Sequence, residues 1–204
     1  KYLKHLAGIR AERQGKINLR FWGGEPLLYL DDIKKIIDTL GDIFTYSMIS
    51  NGIALTQSVV DFLNVHKISF VLSNDGPYTN MVRGLNVLEM PAICELFKKI
   101  NTRSINCIIT AYSQNITEIW EYFSAKKVDC YINFEQLICS WDMPPDLYDF
   151  DLDKLKNQLD TISAKAFVDT ISGTYSREVD FIEMYKSSLI NYVKSLENKT
   201  ELDY

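Results

Sequence analysis

Hydrophobic and polar positions along the chain follow two alternating rhythms. Short apolar runs with the composition of strands span Ile17 to Trp22, Tyr46 to Ser50, Ile68 to Ser73, Asn106 to Thr110 and Asp129 to Glu135. Between them, apolar residues recur every three or four positions. That spacing predicts helices near Leu3 to Arg13, Asp31 to Leu40, Thr56 to Val65 and Pro91 to Ile100, and another from an Asn115 cap through Ala125. Strands separated by helices imply an α/β fold built on a parallel sheet, and periodicity alone does not choose between a barrel and an open, doubly wound sheet. The rhythm breaks at Ser140 to Phe150, where Pro144-Pro145 and several acids predict a loop. Beyond it, Asp151 is placed to cap a helix to about Val168, Ile171-Ser172-Gly173 ends that helix, and Arg177 to Leu196 predicts one more. Residues 1–139 thus read as a core, and residues 140–204 as a loop and two helices that pack on it or lead to a further domain.

Composition narrows the function classes. With 22 Lys plus Arg against 27 Asp plus Glu, the chain carries a formal charge of −5, which argues against nucleic-acid binding through phosphate neutralisation. No apolar run is long enough to span a bilayer, and Lys1-Tyr2-Leu3-Lys4 does not have the plan of a signal peptide, so no membrane partner and a cytoplasmic location are expected. A first residue other than methionine suggests a chain cut from something longer. Cys94, Cys107, Cys130 and Cys139 show no CxxC pairing, so neither a zinc site nor a disulfide framework is signalled and no metal ligand is assigned. Three of them lie in apolar periodic segments and read as buried thiols.

Candidate chemistry gathers where strands end. The first strand runs into Gly23, Gly24 and Glu25, the second into Ser50-Asn51-Gly52, and the third into Ser73-Asn74-Asp75-Gly76-Pro77. Thr110 ends the fourth, and Asn133 and Glu135 lie on or just past the fifth. Parallel sheets carry their sites at this carboxyl edge, because the loops there vary without disturbing the core. Asn51-Gly52 is also a common turn dipeptide, and Asp75-Gly76-Pro77 an ordinary loop opener. Gly23-Gly24-Glu25 is harder to read as a bare turn, which needs at most one glycine and gains nothing from an acid. Arg83 offers a planar fork for a carboxylate, and Asp75 and Glu135 are candidate general bases or substrate contacts. Asp142, Asp146, Asp149 and Asp151 form an acidic loop, read either as solvated or as an attractor of a basic peptide.

Phe21-Trp22-Gly23-Gly24-Glu25-Pro26-Leu27-Leu28 resembles the GGEP signature of radical S-adenosylmethionine (radical SAM) enzymes. Ile49-Ser50-Asn51-Gly52-Ile53-Ala54-Leu55-Thr56 resembles their TNG strand-loop-helix, and Phe70-Val71-Leu72-Ser73-Asn74-Asp75-Gly76-Pro77 with Arg83 their SLDGP strand end and downstream arginine. The similarity covers roughly Ile17 to Glu135 and points to the peptide and protein maturase branch with a cysteine-rich SPASM extension, which includes sulfatase-maturating enzymes. It implies a partial (β/α)6 barrel of which this chain supplies the second to sixth strands and lacks the first.

The resemblance further implies that Glu25 receives the ammonium of S-adenosylmethionine, that Gly23 and Gly24 present main-chain groups to it, and that Ser50, Asn51, Ser73 and Arg83 are further cofactor contacts. It implies a [4Fe-4S] cluster, whose CxxxCxxC loop does not occur in these residues, so the cluster ligands are expected elsewhere and this piece alone is expected to be inactive. In the complete enzyme, reductive cleavage of the cofactor yields a 5′-deoxyadenosyl radical that abstracts hydrogen from a peptide or protein, with an electron donor such as flavodoxin or ferredoxin. Two other readings stay open: an inactive barrel that binds a peptide or protein, and an open nucleotide-binding sheet, weakened by the absence of GxGxxG and of a phosphate-loop lysine.

Overall fold

The computed structural model describes His5, residues 16–136 and residues 145–184. The expected helix over Leu3 to Arg13, all but His5, lies outside the described residues, as do Cys139, Asp142 and the end of the helix expected over Arg177 to Leu196. The chain divides into two compact units, Lys1–Asp149 and Phe150–Tyr204.

The first unit holds five parallel strands, β1 (Ile17–Phe21), β2 (Phe44–Ser50), β3 (Ser69–Ser73), β4 (Arg103–Ile109) and β5 (Tyr131–Gln136), paired in sequence order. A doubly wound sheet reverses its strand order at a switch point. Unbroken sequential order is that of a barrel wall, so the open-sheet alternative gives way to a partial barrel. Between the strands lie helices α1 (Leu30–Leu40), α2 (Gln57–Val65), α3 (Thr79–Arg83), α4 (Pro91–Lys98) and α5 (Ile116–Ala125). The Asn115 cap read from sequence is present, its Oδ1 accepting from Glu118 N at 3.3 Å, and Thr56, the first residue of an expected helix, caps α2 by accepting from Val59 N at 3.3 Å. Helix α3 had no sequence signal, because five residues are too few to establish a period.

Right-handed crossovers between sequential parallel strands place every helix on the same side of the sheet. The sheet's two faces differ accordingly. Toward the helices point Phe21, Met48 and Phe70 in one row and Leu72, Ile105 and Ile132 in the next, with Phe70 against Phe97 of α4 and Phe134 against Trp120 of α5. Met48, Phe70, Leu72 and Ile105 are fully buried. The opposite, inner face carries Arg20, Ser47 and Ser69 in one row, then Val71, Ser104 and Tyr131, then Ser73, Asn106 and Asn133. Barrels with a packed interior fill this face with branched apolar side chains. Here serines and asparagines share the face with Ile49, Val71, Ile108 and Tyr131, which makes it mixed and partly polar.

In the second unit, α6 (Leu152–Ser172) starts at Asp151, whose Oδ1 accepts from Lys154 N at 2.9 Å, and runs past the expected end at Val168 to Gly173. Lys165 Nζ lies 2.7 Å from Asp169 Oδ2 and 3.5 Å from Glu178 Oε2, tying α6 to the helical residues 177–184.

Candidate functional site at the carboxyl edge of the sheet

After β1 the chain turns through Gly23 at φ +99° and Gly24 at φ +56°, conformations that side chains rarely adopt, with open space where each Cβ would project. The turn delivers Glu25 to the end of β2. There Glu25 Oε1 accepts from Leu27 N at 3.0 Å and Ser50 Oγ at 2.7 Å, and Oε2 accepts from Asn51 N at 2.9 Å. A carboxylate offers about four acceptor positions, so one remains on Oε2. The carboxylate is thus held in one orientation by neutral donors, with capacity for a further donor.

Ser50 and Asn51 serve this carboxylate and their own turn. Ser50 Oγ accepts from Gly52 N at 3.0 Å, and Asn51 Oδ1 accepts from Ile53 N at 2.9 Å. Gly52 stands at φ +75°, and a Cβ on it would meet Leu72 Cδ1 at 2.7 Å. Only glycine lets this turn sit on β3. Extending the β2–β3 register by one residue sets Asn51 beside Ser73, whose hydroxyl has no partner among the described residues.

The third strand end is locked. Asp75 is 0% exposed, and its carboxylate receives Arg83 Nε at 2.6 Å, Arg83 Nη2 at 3.0 Å and Ile108 N at 2.8 Å. This bidentate pair spends two of the five Arg83 N–H donors within the chain. Asn86, which the sequence did not single out, is the hub beneath. Its Nδ2 donates to Gly76 O and Tyr122 Oη, both at 2.9 Å, and its Oδ1 accepts from Asn74 Nδ2 at 2.8 Å and Leu88 N at 3.1 Å.

On the inner face Asn106 Nδ2 donates to Glu135 Oε2 at 2.9 Å, and Asn133 Nδ2 donates to Asn106 Oδ1 at 2.7 Å and Glu135 Oε1 at 3.2 Å. Asn106 also escaped the sequence reading, since a single asparagine in an apolar strand carries no signal until register sets it between Ser73 and Asn133. Thr110 does not join this group. Its hydroxyl and N–H are engaged by Ser113 in the following turn, both at 2.9 Å.

Burial disfavours the thiolate at two cysteines. Burial pushes the Cys107 thiol well up, reinforced by Asp75, and raises Cys130 to about 11. No cluster of metal-ligating side chains occurs among the described residues, and none of their helices is long and apolar enough to cross a membrane. A groove of about 540 Å³ opens at the other, amino end of the strands, lined by Lys16, Asp38, Asp42, Tyr46, His66 and Lys67. Its charges are of both signs and it shares no residue with the edge described above.

No protein-family model matches the chain. Among curated proteins it is similar to the radical SAM cyclopropyl synthase TigE of Paramaledivibacter caminithermalis, 23% identical over 164 residues, covering 71% of this chain and 32% of that protein. Among solved structures it is similar to anSMEcpe with bound AdoMet, with TM-score 0.64 and 23% identity over 84% of this chain and 51% of that one. It is also similar to Streptococcus suis SuiB bound to the precursor peptide SuiA, with TM-score 0.54 and 18% identity over 90% of this chain and 47% of that one. The chain spans about a third of the curated relative and about half of these solved chains. The sequence likeness to TigE lies in the same direction as the GGEP, TNG and SLDGP resemblances, and the likeness to the solved structures is one of fold.

Proposed function

We propose that this chain is the S-adenosylmethionine-holding core of a radical SAM enzyme that modifies a peptide or protein. The observation that carries the reading is Glu25: an oriented carboxylate with an acceptor position to spare, beside two glycines that leave space for a ligand. The residues fit the cofactor. Glu25 Oε2 receives its ammonium, the main chain of Gly23 and Gly24 lies against its methionine part, and the Ser73 hydroxyl is available to its carboxylate or ribose. Ser50 and Asn51 act through Glu25, keeping its oxygens aimed. Asp75 and Arg83 pin β3 to β4, which makes Asp75 a positioning residue, and Arg83 retains three N–H donors for a ligand carboxylate.

S-adenosylmethionine, once bound, supplies the radical chemistry; the chain binds it, orients it and shields it from water. The cysteines do not fit an iron–sulfur cluster: they lack the three-cysteine spacing, and no cluster of metal-ligating side chains occurs among the described residues. We therefore place the cluster ligands, any SPASM domain and the contact with flavodoxin or ferredoxin outside this chain. The peptide lies along the inner face that bears the serines and asparagines, and the protein is cytoplasmic. Equilibrium dialysis of radiolabelled S-adenosylmethionine against the 204-residue chain tests the reading. Saturable retention competed by S-adenosylhomocysteine is expected, and no retention overturns it.

A further inference from the structure

We propose that Glu135 is a preformed acceptor for a lysine or arginine side chain of the peptide that the inner face takes up, an inference that rests on the function proposed above. Glu135 stands on β5 one step beyond the row of Ser73, Asn106 and Asn133, in register with Ile108. Each of its oxygens is held by a carboxamide, Oε2 by Asn106 at 2.9 Å and Oε1 by Asn133 at 3.2 Å. Asn133 is braced in turn against Asn106 Oδ1 at 2.7 Å. The side chain is therefore fixed before any ligand arrives, which lowers the ordering cost of binding.

Among the described residues its charge is uncompensated. The two amides satisfy one acceptor position on each oxygen but bring no positive charge, and no lysine or arginine forms an ion pair with Glu135 among the described residues. Arg20, the basic residue on the inner face, is on β1 at the opposite edge of the sheet. A ligand that covers this face strips water from the carboxylate, and covering an unpaired charge is costly unless a cation comes with it. A basic side chain meets that requirement at the two remaining acceptor positions, and the chain's net charge of −5 favours its approach. The row below Ser73, Asn106 and Asn133 on the same face holds Val71, Ser104 and Tyr131. Glu25 and Glu135 stand at opposite edges of the sheet, so the cofactor's ammonium and the peptide's cation have separate acceptors.

The test equilibrates the 204-residue chain, saturated with S-adenosylmethionine, with a randomised decapeptide library, and sequences the retained peptides by mass spectrometry. Lysine and arginine are expected to be enriched about tenfold over Glu135→Gln, the worth of one charge-assisted bond. Asn133→Ala, which frees one oxygen, should lose part of the enrichment, and Glu135→Lys should select acidic peptides instead. Equal selection by wild type and Glu135→Gln, absence of any basic preference, or no retained peptide overturns the proposal. So does weaker retention of S-adenosylmethionine by Glu135→Gln, which would make Glu135 a cofactor contact. Failure of the wild type to retain S-adenosylmethionine would instead remove the function proposed above, and basic-peptide selection reads the Glu135 site independently of it.

Discussion

Replacing Glu25 by glutamine separates its two duties. The glutamate accepts three hydrogen bonds within the chain, from Leu27 N, Ser50 Oγ and Asn51 N. Glutamine has one carbonyl oxygen, and with it turned to Leu27 and Ser50 two of these bonds survive. The amide nitrogen then stands where Oε2 was, a donor facing the Asn51 N–H and the ammonium of the ligand. Loss of the Asn51 contact, at an exposed turn, costs about 1 kcal/mol of fold stability. Loss of a hydrogen bond between a carboxylate and a cationic ligand costs about 1.5 to 3 kcal/mol, which weakens S-adenosylmethionine binding roughly ten- to over a hundred-fold. Isothermal titration calorimetry of Glu25→Gln beside the wild type reads the second effect, and thermal melting without ligand reads the first. A dissociation constant unchanged within about twofold, with a lowered melting temperature, would refute the reasoning and leave Glu25 as no more than a cap for its turn.

Three further outcomes follow from the same geometry. Gly52→Ala should destabilise the fold by about 1 to 3 kcal/mol, since the new Cβ meets Leu72 Cδ1 at 2.7 Å in a left-handed backbone; denaturant unfolding checks this, and wild-type stability would contradict it. Glu89 is held below the ordinary carboxylate value of 4.5 by hydrogen bonds from Lys126 and then Tyr122, so its contribution to stability is complete above 4.5 and fades as pH falls through the lowered folded value. The stability gap between wild type and Glu89→Gln should therefore close on acidification, and a gap that widened would reverse the sign. Anaerobic incubation of the chain with iron and sulfide should give no [4Fe-4S] absorption and no cofactor cleavage, whereas a cluster that supports cleavage would show that these cysteines suffice.

Much of the wall was legible because each strand is a short apolar run and some helices announce their starts: Asn115 and Asp151 both cap as their positions imply. Glu25 was legible for a different reason, an acid after two glycines having no use in a plain turn. What escaped depends on pairing. Arg83 drew notice for its planar fork, but nothing in the sequence tied two of its donors to Asp75, eight residues earlier. Asn106 acquires meaning only from the register that sets it between Ser73 and Asn133, and Asn86 only from the fold that brings Asn74, Gly76 and Tyr122 to it. The alternation of faces was present in the strands, but which face would be left without helices follows from the sequential order that sends every helix to the other side.

The most direct test of the central claim is a crystal structure of the chain soaked with S-adenosylmethionine. The account predicts the ligand's ammonium about 2.7 to 2.9 Å from Glu25 Oε2, with its methionine part along Gly23 and Gly24 and the Ser73 hydroxyl within reach. Ligand density at the amino end of the strands, or a bound ligand whose ammonium lies away from Glu25, would contradict it.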